Sequence, residues 1–177
     1  MGAGRKPDLK QALRPVPGYE RAVREISRML SEAGIRHALV GAIGANAYRD
    51  RPRTTEDIDF LVGDEAFETH PGGFVTMRVP VIEFDGIDID QVPLTERLRV
   101  IEDALEKPHL SEGIPIAPVE TIVVMKLLAG RTQDQADVEA IVASGTDREL
   151  LRAAVRKAAP ECSDTFERLL GNADRSR

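Results

Sequence analysis

Asp57 and Asp59 stand two residues apart at the head of the apolar run Phe60-Leu61-Val62. Side chains alternate along an extended strand, so both carboxylates leave on one face, a few ångströms apart. Like charges that close repel, and a hard divalent cation with oxygen ligands is the usual means of keeping both ionised. The plainer alternative is a pair of solvated acids on an edge strand. A second alternating pair, Asp88 and Asp90, follows an Asp85-Gly86 turn flanked by Val81-Ile82-Glu83-Phe84 and by Ile87 to Val92, the pattern of a hairpin. A neighbouring strand can therefore bring a third carboxylate to the first two. Three converging acids fit a two-metal site, in which ions ~3.5–4 Å apart hold the attacking and leaving oxygens of a phosphoryl displacement. Asp88 and Asp90 point to the same face. Asp90 lies farther from the turn and is the expected third ligand, with Asp88 as its alternate.

Further residues could serve the same chemistry. Gly41-Ala42, with Gly44 two positions on, follows the short apolar segment 36–40 and leads into a small-residue helix. Glycine allows a close backbone approach to a phosphate, and a helix start offers free N–H groups, although a tight strand-to-helix turn needs the same residues. Neither G-x-G-x-x-G nor G-x-x-x-x-G-K-[ST] is present, which leaves the dinucleotide fingerprint and the P-loop unsupported. Arg53 and Thr55 precede the acids and are either phosphate contacts or loop residues. Arg131, Asp134 and Asp137 fall at a helix junction and read at least equally well as a structural ion-pair network. His37, His70 and His109 are scattered without metal-ligand spacing, and Cys162 has no Cys or His nearby, so neither type is expected to act.

The elements that must position these groups are legible from periodicity. Tyr19, Ala22, Val23, Ile26, Met29, Leu30 and Ala33 mark a one-sided helix ended by Gly34. Strands are expected over 36–40, 57–62, 74–78, 81–92 (as the hairpin) and 114–116, with a connector or short helix over 63–73. A helix is expected over 95–107 with Leu98, Ile101, Ala104 and Leu105 inward. A second follows from Pro118 to Gly130, a third from a Thr132 capping box to about Ala143, a fourth from Thr146-Asp147 to about Ala159, and a last from Pro160 to near Gly171. Residues 1–18, with Pro7, Pro15 and Pro17, read as a flexible N-terminal arm, residues 19–143 as the core, and residues 144–177 as a helical extension of the same domain.

Composition bounds these readings. A chain of 177 residues with 42% hydrophobic content suits one folded domain, and 24 Lys and Arg against 30 Asp and Glu give a net charge of −6. That balance disfavours a sequence-independent grip on nucleic acid. Two Tyr, five Phe and no Trp disfavour a base-stacking platform. No apolar run approaches the ~18 residues of a membrane span. A lone cysteine and a basic, Pro-rich start without an apolar signal make the cytoplasm the expected compartment.

Leu39-Val40-Gly41-Ala42, Arg53-Thr54-Thr55-Glu56-Asp57-Ile58-Asp59-Phe60-Leu61-Val62, Ile87-Asp88-Ile89-Asp90 and Lys126-Leu127-Leu128-Ala129-Gly130-Arg131, with Asp134 and Asp137, together resemble a minimal nucleotidyltransferase of the DNA polymerase β superfamily. Within it they are similar to the AbiEii-like, toxin–antitoxin-associated branch. The similarity spans about residues 19–143. It implies an α/β (α+β) fold with a mixed sheet flanked by helices and a helical C-terminal part. It implies Mg²⁺ (or Mn²⁺) on Asp57, Asp59 and Asp90, and transfer of a nucleotidyl group from an NTP to a hydroxyl acceptor with pyrophosphate leaving. The acceptor, a protein hydroxyl, a tRNA end or a small molecule, is left open, as is a toxin or antitoxin partner protein. On this carry-over Asp90 binds the catalytic ion and helps deprotonate the acceptor, while Gly41 and Ala42 touch the triphosphate. Lys126, in an apolar helix, reaches the triphosphate, snorkels to solvent or pairs with a carboxylate. Family members often carry Ser after the first glycine, and Ala42 lacks that hydroxyl.

Other users of Asp-x-Asp fit less well. Haloacid-dehalogenase-type phosphatases place the pair after the apolar strand, the reverse of the order here, and nucleotide-sugar glycosyltransferases usually need a longer chain. A different class of rival is a catalytically silent nucleotidyltransferase-like module acting as an antitoxin or assembly subunit. Ala42 favours it and the three acids oppose it.

Overall fold

The alternation around Asp57 forms a strand, and the main sheet is built about it. A computed structural model of the chain describes residues 5–102 and 104–175. In order the elements are α1 (Leu9–Leu13), α2 (Glu20–Glu32), β1 (His37–Leu39), α3 (Gly41–Asn46), β2 (Asp57–Val62), β3 (Phe67–Thr69), β4 (Val75–Met77), β5 (Glu83–Phe84) and β6 (Ile87–Pro93). They continue with α4 (Glu96–Arg99), β7 (His109–Ser111), β8 (Ile114–Ile116), α5 (Val119–Ala129), α6 (Thr132–Ala143), α7 (Arg148–Ala158) and α8 (Ser163–Arg175).

Six strands form one mixed sheet in the order β5-β6-β2-β1-β8-β7, and β3 and β4 form a separate pair. β2 runs antiparallel to β1 and parallel to β6, whereas β1 runs parallel to β8. β2 and β1 are covered on both faces, so Ile58, Phe60, Leu61 and Val62 are all buried beside Ala38 and Leu39. α5 is apolar nearly all round and lies in the middle of the helical layer, with α6 and α7 packed on it and α8 packed on α6. Among the described residues no helix is long and apolar enough to cross a membrane. The mixed sheet flanked by helices, with a helical C-terminal part, is the α/β architecture expected above.

Several elements depart from expectation. Residues 9–16 are not a loose arm: Leu9, Ala12, Leu13 and Val16 are buried at the i, i+3, i+4, i+7 spacing of a helix face. Asp8 caps α1 by accepting the Gln11 N–H, and the Asp8 N–H donates to the Ala47 carbonyl. Residues 1–4 lie outside the described residues. The helix expected over 95–107 is a single short one, α4, followed by turns. Leu98, Ile101, Ala104 and Leu105 are nevertheless buried, and residue 103 lies outside the described residues. α6 starts one residue early, with Arg131 rather than Thr132 at the N-cap. Asp147 alone caps α7, while the Thr146 hydroxyl donates back to the Ile141 carbonyl. β7 was not foreseen, because His109-Leu110-Ser111 gains its pairing from β8 rather than from any alternation of its own. Pro160 opens a 3₁₀ turn, and α8 runs through Gly171 to Arg175.

Truncating Leu9 to Ala should lower the unfolding free energy by about 2–5 kcal/mol, the usual cost of a core cavity. Urea melts would show this as a lower midpoint at unchanged slope, and an unshifted midpoint would mean that α1 does not belong to the cooperative core.

Candidate active site

β2 and β6 lie side by side with Asp57 opposite Asp88 and Asp59 opposite Asp90. Strand spacing is about 4.8 Å and paired residues share a face. The ladder therefore sets a two-by-two array of carboxylates on one side of the sheet. Oxygens of Asp57, Asp59 and Asp90 come within 4.8 Å of one another, and Asp88 is outside that group. Periodicity could not separate Asp88 from Asp90, and the register sets each beside one of the first two acids; it is the position of the carboxylate oxygens that puts Asp90 in the cluster. Asp90 is exposed, while Asp57 and Asp59 are half-buried. Burial, and then the neighbouring charges of Asp57 and Asp90, push the Asp59 carboxyl up to about 6, against a smaller pull from Lys126 and Arg131. Hard oxygen donors, crowded enough to impede ionisation, suit a divalent cation.

Gly41 opens α3, with Val40, at the N-cap, between it and the end of β1. Its φ of 59° lies in the left-handed region, and a Cβ there would overlap the Asp59 carboxylate. Both facts require glycine, so the sequence signal marks a close approach of main chain to the acids. Gly41 and buried Ala42 line a cavity of about 780 Å³ together with Arg53, Thr55, the three acids and Lys126. Every site residue expected from sequence thus faces one cavity. An aliphatic wall of Val40, Val92, Ile122, Met125 and Ala129 completes it.

Behind the acids lies a second charge cluster. Asp137 is fully buried and accepts from Arg49 Nη1 at 2.7 Å, from Arg53 Nε and Nη2 at 2.8 and 2.9 Å, and ion-pairs with Lys126 Nζ at 2.8 Å. Asp134, also buried, pairs with Lys126 at 3.0 Å and with Arg131 at 2.7 Å. Burial raises the Asp137 carboxyl, but hydrogen bonds and charge from Arg53 and Lys126 outweigh it and hold the group at about 2. Asp134 is lowered in the same way by Arg131 and Lys126, against its burial. Of the alternatives open for Lys126, the structure shows carboxylate pairing, and the ion-pair network foreseen for Arg131, Asp134 and Asp137 is present. The Thr55 hydroxyl donates to Asp57 Oδ1 at 2.6 Å. Sequence reasoning missed Asn46, Arg49 and Tyr19. Asn46 was detectable as the one polar side chain in an otherwise apolar six-residue helix.

No protein-family model matches the sequence, and a search of curated proteins gives no match. Among solved structures, an antigenic nucleotidyltransferase-like protein from Paracoccidioides brasiliensis aligns over 86% of this chain and 94% of its own, at 15% identity and a TM-score of 0.46. So distant a likeness does not identify shared chemistry.

Two stability predictions follow from the opposed electrostatics. The Asp59 pKa is raised on folding from its ordinary 3.8 to about 6, so its protonated form favours the fold and that contribution is lost as pH rises from about 4 through 6. Without divalent cation, Asp59→Asn should therefore stabilise the protein at pH 7.5 by on the order of 3 kcal/mol and have little effect at pH 4. Chelator-containing urea melts at the two pH values test this, and equal shifts at both would refute it. Asp137 has the opposite sign: its stabilisation is full above about pH 4 and is lost as pH falls towards 2. Asp137→Asn leaves Arg49, Arg53 and Lys126 without their shared partner and should cost about 3–5 kcal/mol at neutral pH.

Proposed function

We propose that this protein is a metal-dependent nucleotidyltransferase that moves a nucleotidyl group from an NTP to a hydroxyl acceptor, pyrophosphate leaving. The observation that carries the reading is the convergence of Asp57, Asp59 and Asp90 at a cavity whose other edge is the Gly41 main chain. A phosphoryl-transfer site needs just these parts: carboxylates for divalent cations beside a backbone that lets phosphates come close.

Asp57, Asp59 and Asp90 would hold Mg²⁺ or Mn²⁺, which supplies neutralisation of phosphate charge and lowers the pKa of an attacking hydroxyl. Asp90, the exposed member, faces an incoming acceptor and takes its proton. Gly41 and Ala42 bring main chain to the triphosphate, Ala42 by its N–H alone because it has no hydroxyl. The wall of Val40, Val92, Ile122, Met125 and Ala129 offers an aliphatic surface to the rest of the nucleotide. Lys126, engaged by Asp134 and Asp137, contributes by charge, favouring ionised Asp59. The motif order supports the AbiEii-like branch and with it a toxin or antitoxin partner protein in the cytoplasm. A protein hydroxyl, a tRNA end or a small molecule each supplies the required oxygen.

Ala42 favours a second reading, a silent module of the same architecture that works by holding a partner. Calorimetry with a non-hydrolysable ATP analogue separates the two. The enzyme reading expects micromolar binding, about −8 kcal/mol, with Mg²⁺ or Mn²⁺, no binding with chelator, and loss in Asp57→Asn/Asp59→Asn. Absence of binding for all four NTP types under every metal condition would favour the silent module.

A further inference from the structure

The stretch 53–55 that leads into Asp57 is held on three sides. Its first residue is gripped by Asn46, whose fully buried amide accepts the Arg53 N–H at 3.0 Å and donates to the Arg53 carbonyl at 2.8 Å. The Arg53 guanidinium is forked onto both oxygens of Asp137 and gives its remaining nitrogen to the Thr54 carbonyl at 2.9 Å. At the other end the Tyr19 hydroxyl, from the start of α2, donates to the Thr55 carbonyl at 3.0 Å. Helices α2, α3 and α6 thereby fix a segment that has no regular structure of its own.

What this anchorage delivers is the contact between the Thr55 hydroxyl and Asp57 Oδ1. At 2.6 Å it is short, as expected of an O–H donor meeting a carboxylate. A threonine hydroxyl has one proton to donate. Given to Asp57, that proton is not available to a phosphate oxygen, which can only accept. The sequence offered Thr55 as a phosphate contact, but the geometry directs it to a metal ligand.

From this geometry we propose that Thr55 is a positioning residue, acting through Asp57 to fix the carboxylate that receives the divalent cation, with Asn46, Asp137 and Tyr19 fixing Thr55 in turn. The inference rests on the metal-site reading given above. Groups that orient a ligand carboxylate govern metal affinity without touching the metal, and their loss weakens it by about 10–100-fold.

The test is Mn²⁺ binding in the absence of nucleotide, measured by calorimetry on wild type, Thr55→Val, Thr55→Ser and Tyr19→Phe. Thr55→Val, matched in shape but without the donor, should bind Mn²⁺ about 10–100-fold more weakly. Thr55→Ser should remain close to wild type, since it restores the hydroxyl, and Tyr19→Phe should shift in the same direction as Thr55→Val but by less. Affinity of Thr55→Val for the ATP analogue at saturating Mn²⁺ should match wild type. Unchanged Mn²⁺ affinity in a folded Thr55→Val overturns the proposal, as does a loss of analogue affinity that saturating Mn²⁺ fails to restore, the signature of a phosphate contact. Should Thr55→Val not fold, a Thr55→Ser as weak as Asp57→Asn, or a Tyr19→Phe equal to wild type, overturns it equally. Failure of wild type to bind Mn²⁺ at all would instead remove the metal-site reading, and this inference with it.

Discussion

The Asp137 carboxylate has no solvent exposure, yet it faces Arg49, Arg53 and Lys126 and takes a longer 3.4 Å contact from Gln133. These cations come from the segment after α3, from the approach to β2 and from α5, so one buried anion joins the sheet to the helical layer. An isolated charge would not be tolerated there. Its cost is offset only because several donors converge on it at once, which makes the arrangement of elements around it all-or-none. The approach to β2 is one of those elements, and the direction in which Asp57 leaves the sheet is inherited from it.

In front of that balanced cluster stands an unbalanced one. Asp57, Asp59 and Asp90 crowd together with no cation in hydrogen-bond contact among the described residues, and at Asp59 burial and the charges of the other two raise the carboxyl pKa. Lys126 and Arg131 act on it only from a distance, because both are already committed to buried carboxylates. The protein thus keeps its positive charge one layer back, close enough to moderate the repulsion and too engaged to quench it. A site so arranged is compatible with a mobile cation, and a lysine among the three acids would remove the imbalance of charge.

Local chemistry was legible in the sequence wherever it depended on near neighbours. The alternation of Asp57 and Asp59, the Asp85-Gly86 turn and the one-sided stripe of α2 are properties of a few consecutive residues, and all three appear as read. Depth in the strand favours Asp90 over Asp88, whereas which of the two comes near Asp57 and Asp59 depends on how β6 lies against β2, a relation between segments far apart in the chain. The same limit hid the partners of Arg53 and Lys126. Their carboxylates were visible as Asp134 and Asp137, but that Arg53 and Lys126 would share Asp137 depends on how α5 and α6 pack behind β2. α1 is obscured in the sequence for another reason: Pro7, Pro15 and Pro17 flank the helical spacing of Leu9, Ala12, Leu13 and Val16 and give the segment the composition of a loop.

The connection between β2 and β6 has a further meaning. It runs over residues 63–86, carries the separate β3–β4 pair, and leaves Phe74 and Val75 largely exposed at its tip. The alignment of Asp59 with Asp90 is set by the ladder between the two strands, so the excursion can lengthen or shorten without displacing either carboxylate, at a chain-closure cost that grows only slowly with length. This hairpin is accordingly the place where the molecule can accept an inserted domain or a change of surface while its chemistry stays in register.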